Sequence, residues 1–139
     1  MARVHNLFRA PKKHGPMEEL REAQLLGDFG LEGCSHAQPG GNRQVLLVDR
    51  ETLEAMELQP GMLRESITTD GLKVNSLPMG QQLRIAEARP EVTIVCTPCH
   101  QMERIRPGLR KELCGRRGML CRVLEGGIIR PGDPIEKLP

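Results

Sequence analysis

The chain has 139 residues, with 20 Lys and Arg against 18 Asp and Glu, and its formal net charge of +2 is too balanced to imply a nucleic-acid partner. It holds two Phe and no Tyr or Trp, which removes the aromatic platforms on which single-stranded bases stack. Leu, Ile, Val and Phe make up about a quarter of the residues, above the level of disordered chains. One domain over residues 1–139 with an aliphatic core is therefore expected. The N-terminal MARVHNLFRAPKKHG has no apolar signal core, and no stretch approaches the ~18 apolar residues of a membrane span. Five cysteines cannot all pair within the chain. Free thiols in a reducing cytoplasm, away from membranes, are the expectation.

In chain order, Arg3 to Phe8 reads as a short strand, followed by the basic loop APKKHGP, Ala10 to Pro16. Met17 to Leu26 has helical spacing, but it runs into Gly27-Asp28-Phe29-Gly30, so a helix or an irregular stretch is expected there. Gly33 to Asn42, GCSHAQPGGN, is too rich in Gly, Pro and Ser for a regular element and is a predicted loop. RQVLLV, Arg43 to Val48, is a compact apolar run bounded by loop signals, the pattern of a buried strand. Asp49 is placed to cap a short helix through Met56. Three later segments, LQPGMLR from Leu58, LPMGQQLRI from Leu77 and IRPGDPIEKL from Ile129, each set Pro and Gly ahead of a strand-like stretch. Pro fixes φ and Gly permits positive φ, so each marks a tight turn entering a strand. A β-like stretch from Glu91 runs into Cys96, and a turn or two of helix is expected between His100 and Cys114. Met119 to Leu124 and Pro134 to Leu138 read as late strands, joined through Glu125-Gly126-Gly127. Short strands with closely spaced Pro and Gly turns predict a mainly β fold, a barrel or a sandwich, with few helices.

The segment EVTIVCTPCHQMERIRP, Glu91 to Pro107, is the richest in chemistry. A thiol at a strand end near positive charge is placed to be a thiolate, the form that attacks sulfur, carries sulfur or ligates a soft metal. The basic residues Arg104, Arg106, Arg110, Lys111, Arg116, Arg117 and Arg122 form either a solvated face or a pocket for an anion. Three readings of Cys96-Thr97-Pro98-Cys99 compete. A redox dithiol of the thioredoxin type needs a βαβ context that this chain lacks. A structural zinc site would have to be completed by Cys114 and Cys121 or by His100, and the Cys-x6-Cys spacing departs from the common zinc patterns. The third reading is one reactive cysteine beside a bystander. Elsewhere, His36 and Arg43 stand at opposite ends of one flexible loop, and Arg64 follows the Pro60-Gly61 turn. Each has an ordinary structural role open to it, while Arg is also the favoured side chain for bidentate phosphate recognition.

Taken in order, GPM near the start, LEGCSHA, RQVLL, PGMLRES, LPMGQQLRI, CTPCHQM, PGL, GRRGMLCRVLEGG and IRPGD resemble a stand-alone MOSC domain, the module at the C-terminus of molybdenum-cofactor sulfurases. The resemblance spans Val4 to Ile135. It implies a closed β-barrel of the pyruvate-kinase-barrel-like type with a few short helices. It also implies binding of molybdenum cofactor (molybdopterin), or handling of sulfur destined for a metal centre. The family's key cysteine corresponds to Cys99, which would ligate the metal or carry a persulfide made by a pyridoxal-phosphate-dependent desulfurase. Arg64, in the segment matching the family's Arg-Glu-Asn, would contact the pterin or its phosphate. Arg43 and His36 are further cofactor-binding candidates, and Lys12 and Lys13 correspond to the basic N-terminal loop that approaches the cofactor. Two departures stand out: Cys34 replaces the acid of the family's Gly-Asp-x-His, and Ser66 replaces the Asn after Arg-Glu.

Three functions follow as expectations. The first is a molybdenum-cofactor-binding or sulfur-carrier domain whose working atom is the sulfur of Cys99, as a persulfide or as a metal thiolate. The second is a molybdenum-cofactor-dependent reductase component acting on N-hydroxylated substrates. The third is a small β scaffold whose cysteines are inert or hold structural zinc. The implied partner is a cysteine desulfurase or a molybdoenzyme, and pyridoxal phosphate enters only through the desulfurase.

Overall fold

The computed structural model describes Met1–Pro139. The strands are β1 (Arg3–Arg9), β2 (Glu18–Leu20), β3 (Ala23–Leu26), β4 (Gly30–Leu31), β5 (Val45–Asp49), β6 (Ile67–Asp70), β7 (Leu83–Ile85), β8 (Arg89–Val95), β9 (Met119–Glu125), β10 (Gly127–Ile129) and β11 (Ile135–Lys137). The short helices are α1 (Arg50–Ala55), α2 (Met102–Ile105) and α3 (Leu109–Glu112), with a 3-10 turn at Val74–Ser76. No helix is long and apolar enough to cross a membrane.

The apolar run at Val45 forms β5 and is buried at all five positions. It lies inside a six-stranded sheet of order β2-β1-β6-β5-β9-β8, parallel to β6 and antiparallel to β9. Successive strand residues point to opposite faces. Val45 and Leu47 therefore enter one core, which they share with Val4, Leu7, Leu83, Ile85, Met119 and Cys121. Leu46 and Val48 enter a second, smaller core with Leu53, Leu63, Met102, Leu109, Leu113 and Leu120. A strand covered on both faces needs an unbroken apolar run, which Val45-Leu46-Leu47-Val48 supplies.

The fold is mainly β, as expected, but the expected closed barrel is not formed. The strands fall into three open sheets: the six-stranded sheet, a three-stranded sheet of order β10-β3-β4, and the pair β11-β7. The joints between sheets are where continuous pairing fails. Pro134, at the joint beside Arg3, has no N–H to donate. The register of β8 against β9 also shifts at Arg89/Pro90 and at Val92/Ile94. The sheets meet instead through short, irregular joints: the bridge of Arg3 with Pro134, beside which the Ile135 N–H donates to the Ala2 carbonyl at 2.9 Å, and the bridge of Gln82 with Glu91, beside which the Val92 N–H donates to the Gln81 carbonyl at 2.9 Å.

Met17 to Leu26 is not a helix. It forms β2, paired with β1 through Leu7 and Leu20, and β3, held between β10 and β4. Ala23 and Leu25 are buried while Gln24 and Leu26 are half-buried, so the alternation that matters has period two. Partners distant in sequence decide this segment against its local helical spacing. Leu58 to Arg64 makes a turn, and the strand after it begins only at Ile67. The connection after Met119–Glu125 carries a strand of its own, β10, which pairs back onto β3.

Asp49 caps α1 as predicted. Its carboxylate accepts from the Thr52 N–H at 3.1 Å and from the Thr52 hydroxyl at 2.8 Å. Asp49→Ala is expected to lower stability by about 1 kcal/mol, seen as a lower denaturation midpoint at unchanged slope. Asp70 ties α1 to the edge of β1. Arg50 Nη2 lies 2.6 Å from its Oδ1 and Arg3 Nε lies 3.2 Å from its Oδ2. The hydrogen bond from Arg50, helped by Arg3, holds the Asp70 carboxyl down at about 2. A depressed carboxyl contributes stability above its unfolded value of 3.8 and loses it as pH falls through about 2. Carboxyl titration by NMR should place Asp70 near that lower value. In Asp70→Asn the acid-unfolding curve should lose its component in that window.

Candidate functional site

The turn after Pro60 is built around a buried acid. Glu65 is fully buried, and its Oε2 accepts from the Gly61 N–H at 2.8 Å and from the Thr68 hydroxyl at 2.8 Å. Gly61 has φ 90°, and a Cβ there would press on the Phe8 ring at 3.0 Å, so this position requires glycine. Arg64 adopts φ 60°, unusual for a residue with a side chain. Its Nη1 donates to the Gly15 carbonyl at 2.6 Å, which draws the basic N-terminal loop against the turn. On the other side of that loop, Gln101 Nε2 lies 3.4 Å from His14 Nδ1. The three segments enclose a cavity of about 260 Å³ whose polar lining is His14, Arg64, Gln101 and Arg104, with Met17, Met62 and Ile105 among the apolar wall. The second guanidinium nitrogen of Arg64, Nη2, is buried with no acceptor.

The CTPC segment leaves the end of β8 at a fixed angle. The Cys96 N–H donates to the Gly118 carbonyl at 3.0 Å. Asn75 brackets the same glycine, accepting from its N–H at 3.0 Å and donating to its carbonyl at 3.3 Å. A Cβ at Gly118, where φ is 114°, would collide with the Leu47 carbonyl. Past Pro98, the Cys99 carbonyl accepts from the Met102 N–H at 3.0 Å, and Met102 is anchored in the smaller core. Cys99 itself is exposed. It stands in the chain between Thr97-Pro98, which line a second hollow of about 760 Å³, and Gln101-Met102, which line the Arg64 cavity.

The predicted site residues separate into those that meet and those that do not. Arg64 shares its cavity with Gln101, Met102 and Arg104, which follow the CTPC segment in the chain, while no residue of CTPC itself lines that cavity. The basic loop arrives as well, but it presents His14 and Gly15, while Lys12 and Lys13 are exposed and line no wall of the cavity. Arg43 is exposed at the start of β5, and neighbouring Gln44 pairs with Cys121 and Val123 rather than with the CTPC end of the sheet. His36 sits with Cys34, its Nδ1 3.5 Å from the sulfur, which also accepts from the Ala10 N–H at 3.5 Å. Burial pushes the Cys34 thiol up, but the His36 ring and the backbone N–H groups of Ala10 and His36 outweigh it and leave the thiol below its ordinary value. Cys121 is the reverse case, with burial pushing it up to about 12. All five cysteines are free, and no three His, Cys, Asp or Glu side chains come together to hold a metal ion, so the zinc arrangement of Cys96, Cys99, Cys114 and Cys121 is not assembled. The sequence reading passed over His14 and Gln101 as lining groups and Glu65 as the support of the turn. The available signal for Glu65 was an acid directly after Arg64 in a Pro-Gly turn.

No functionally curated protein matches the sequence at a significant level. Among solved structures, the YuaD protein of Bacillus subtilis is similar at 19% identity and a TM-score of 0.81, over 98% of this chain and 94% of that one. YiiM of Geobacillus stearothermophilus is similar at 19% identity and a TM-score of 0.80, over 100% of this chain and 76% of that one. YiiM of Escherichia coli follows at 22% identity and a TM-score of 0.73, over 99% and 70%. Identities this low speak for the fold alone. The sequence itself matches the family described as MOSC domain over residues 35–136, most of its length, and so this chain belongs to the MOSC domain family.

Proposed function

We propose that this domain binds molybdenum cofactor, with the cofactor's anionic end in the Arg64 cavity and Cys99 as the thiolate that meets its metal. The family is one known to bind this cofactor, which supports the reading. The observation that carries it is the buried Arg64 Nη2 without an acceptor. A buried guanidinium N–H left unpaired is costly, and a phosphate oxygen is the acceptor it suits best. Nη1 is already committed to Gly15, so the side chain is held in place before any ligand arrives. His14 and Arg104 line the same space, as a hydrogen-bonding group and a second cation. At about 260 Å³ the cavity suits a phosphate and the atoms next to it rather than the whole cofactor, so the remainder would lie outside, toward the chain that joins Gln101 back to Cys99. When bound, the cofactor supplies a thiophilic, redox-active metal centre, and the soft ligand such a metal prefers is a thiolate.

A second reading, sulfur carriage, is favoured by a separate observation: Cys99 is exposed and lines neither hollow, so a partner protein can approach it. In that role the Cys99 thiolate attacks the terminal sulfur of a persulfide on a cysteine desulfurase. A new S–S bond forms on Cys99, and the partner's cysteine leaves as its thiolate. Pyridoxal phosphate belongs to the desulfurase.

Protein made in a cofactor-competent host should carry molybdenum and pterin, and Arg64→Ala should lower pterin content about tenfold. Undiminished loading of Arg64→Ala, measured by metal analysis and pterin fluorescence, overturns the cofactor reading. Cys99→Ser should keep the pterin and lose one metal–sulfur contact in X-ray absorption. For the carrier reading, incubation with a cysteine desulfurase and cysteine should leave one extra sulfur on the Cys99 peptide, and an unmodified Cys99 by mass spectrometry removes it.

A further inference from the structure

The larger hollow, of about 760 Å³, takes no part in the reading above. The end of β8 contributes Cys96, Thr97 and Pro98 to it, and the α3 region contributes Arg110, Lys111 and Cys114. Two thiols from separate elements thus line one groove, and neither is in a disulfide. The groove is also cationic. Neither Arg110 nor Lys111 is in an ion pair. The one acid on the lining, Glu103, has both oxygens occupied elsewhere, accepting from the Gly108 N–H at 2.9 Å and from the Arg110 N–H at 2.9 Å. Those two backbone bonds hold its carboxyl below the usual range, so it stays a charged cap on α3. Arg110 and Lys111 on α3 and Cys114 in the turn after it all line the groove. The turn continues to the thiol, since the Cys114 N–H donates to the Lys111 carbonyl at 3.3 Å. Cys114 is exposed and Cys96 half-buried, so Cys114 is the sulfur open to attack from solution.

We propose that this groove binds an anionic organic disulfide and that Cys114 exchanges with it. The volume matches a peptide-sized ligand, and Arg110 and Lys111 match its carboxylates. In the step itself the Cys114 thiolate attacks one sulfur of the ligand's S–S bond. That bond breaks, a mixed disulfide forms on Cys114, and the other half of the ligand leaves as a thiolate that takes a proton from water. The Cys114 sulfur is oxidised and the ligand's disulfide is the oxidant, so no other redox partner is required. The cations act by concentrating the negatively charged reagent at the thiol.

The test uses the Cys99→Ser protein, which removes the other exposed thiol, with oxidised glutathione as the anionic probe and cystamine as the cationic one. Each reagent is compared with itself in the parent and in a variant carrying Arg110→Ser and Lys111→Ser, so intrinsic reactivity cancels. At low ionic strength the double substitution should slow modification by oxidised glutathione about tenfold and should not slow cystamine, with the adduct mapped to Cys114. A variant that merely unfolds would react faster with both reagents, so the two arms also separate loss of fold from loss of charge. The proposal is overturned if the anionic probe keeps its rate in the variant, if both probes slow equally, or if the adduct lies on a residue other than Cys114.

Discussion

Strand β5 is buried on both faces, and that constraint organises the molecule. Val45 and Leu47 demand one apolar layer, and Leu46 and Val48 demand another. The first is met by the three sheets folded over a common core. The second can be met only by what lies outside the sheet, namely α1, the turn at Leu58–Leu63, α2 and α3. Helices of four residues have no stability of their own. They persist because Met102, Leu109 and Leu113 are inserted beside Leu46, Val48 and Leu120. Full burial of such a side chain stabilises by about 1.5–3 kcal/mol, an upper estimate. The candidate site sits in this thin outer layer, so its geometry is only as firm as a core of ten residues.

Within that layer, adjacent residues of opposite charge face different tasks. The Glu65 carboxylate turns inward and holds the Gly61 turn, while Arg64 turns toward the cavity. The left-handed backbone at Arg64 costs about 1 kcal/mol or more; the two hydrogen bonds to Glu65 Oε2 and the bond from Arg64 Nη1 to Gly15 hold the turn, while Glu65 Oε1 and Arg64 Nη2 are buried without partners. Ser66, which stands where the family has Asn, is fully engaged in starting the strand. Its hydroxyl accepts from the Leu46 N–H at 3.2 Å and its own N–H donates to the Leu46 carbonyl at 2.9 Å. The other departure, Cys34, uses its sulfur to join the loop after β4 to the end of β1 through Ala10, and it keeps His36 beside it.

What was legible in the sequence was whatever a local signal decides. The run at Val45, the Asp49 cap, the strand into Cys96 and the loop at Gly33–Asn42 each carry their cause within a few residues. What was not legible depends on partners far along the chain. Met17–Leu26 becomes two strands because β1, β10 and β4 need pairing, and the division of the strands into three sheets depends on registers that the sequence does not show. The site divides the same way. Arg64 and CTPC were found from turn and thiol chemistry. The offset of Arg43 from CTPC follows from register: Gln44 bonds to Cys121 while Cys96 bonds to Gly118, about 10 Å apart along the chain leading into β9.

The run of cations from Arg104 to Arg122, a single patch in the sequence, is divided among separate tasks. Arg104 lines the Arg64 cavity. Arg106 is structural, with Nη1 donating to the Met56 carbonyl at 2.7 Å and Nη2 lying 3.0 Å from Glu112. Arg110 and Lys111 line the larger groove, Arg117 is buried, and Arg122 lies 4.0 Å from Glu91. These cations lie on different elements, Arg104 on α2, Arg110 and Lys111 on α3 and Arg122 on β9, and that is what divides them. A chain with a net charge of only +2 therefore offers two distinct cationic hollows, one on each side of the chain segment that carries an exposed thiol. Local placement, rather than net charge, is what selects an anion here.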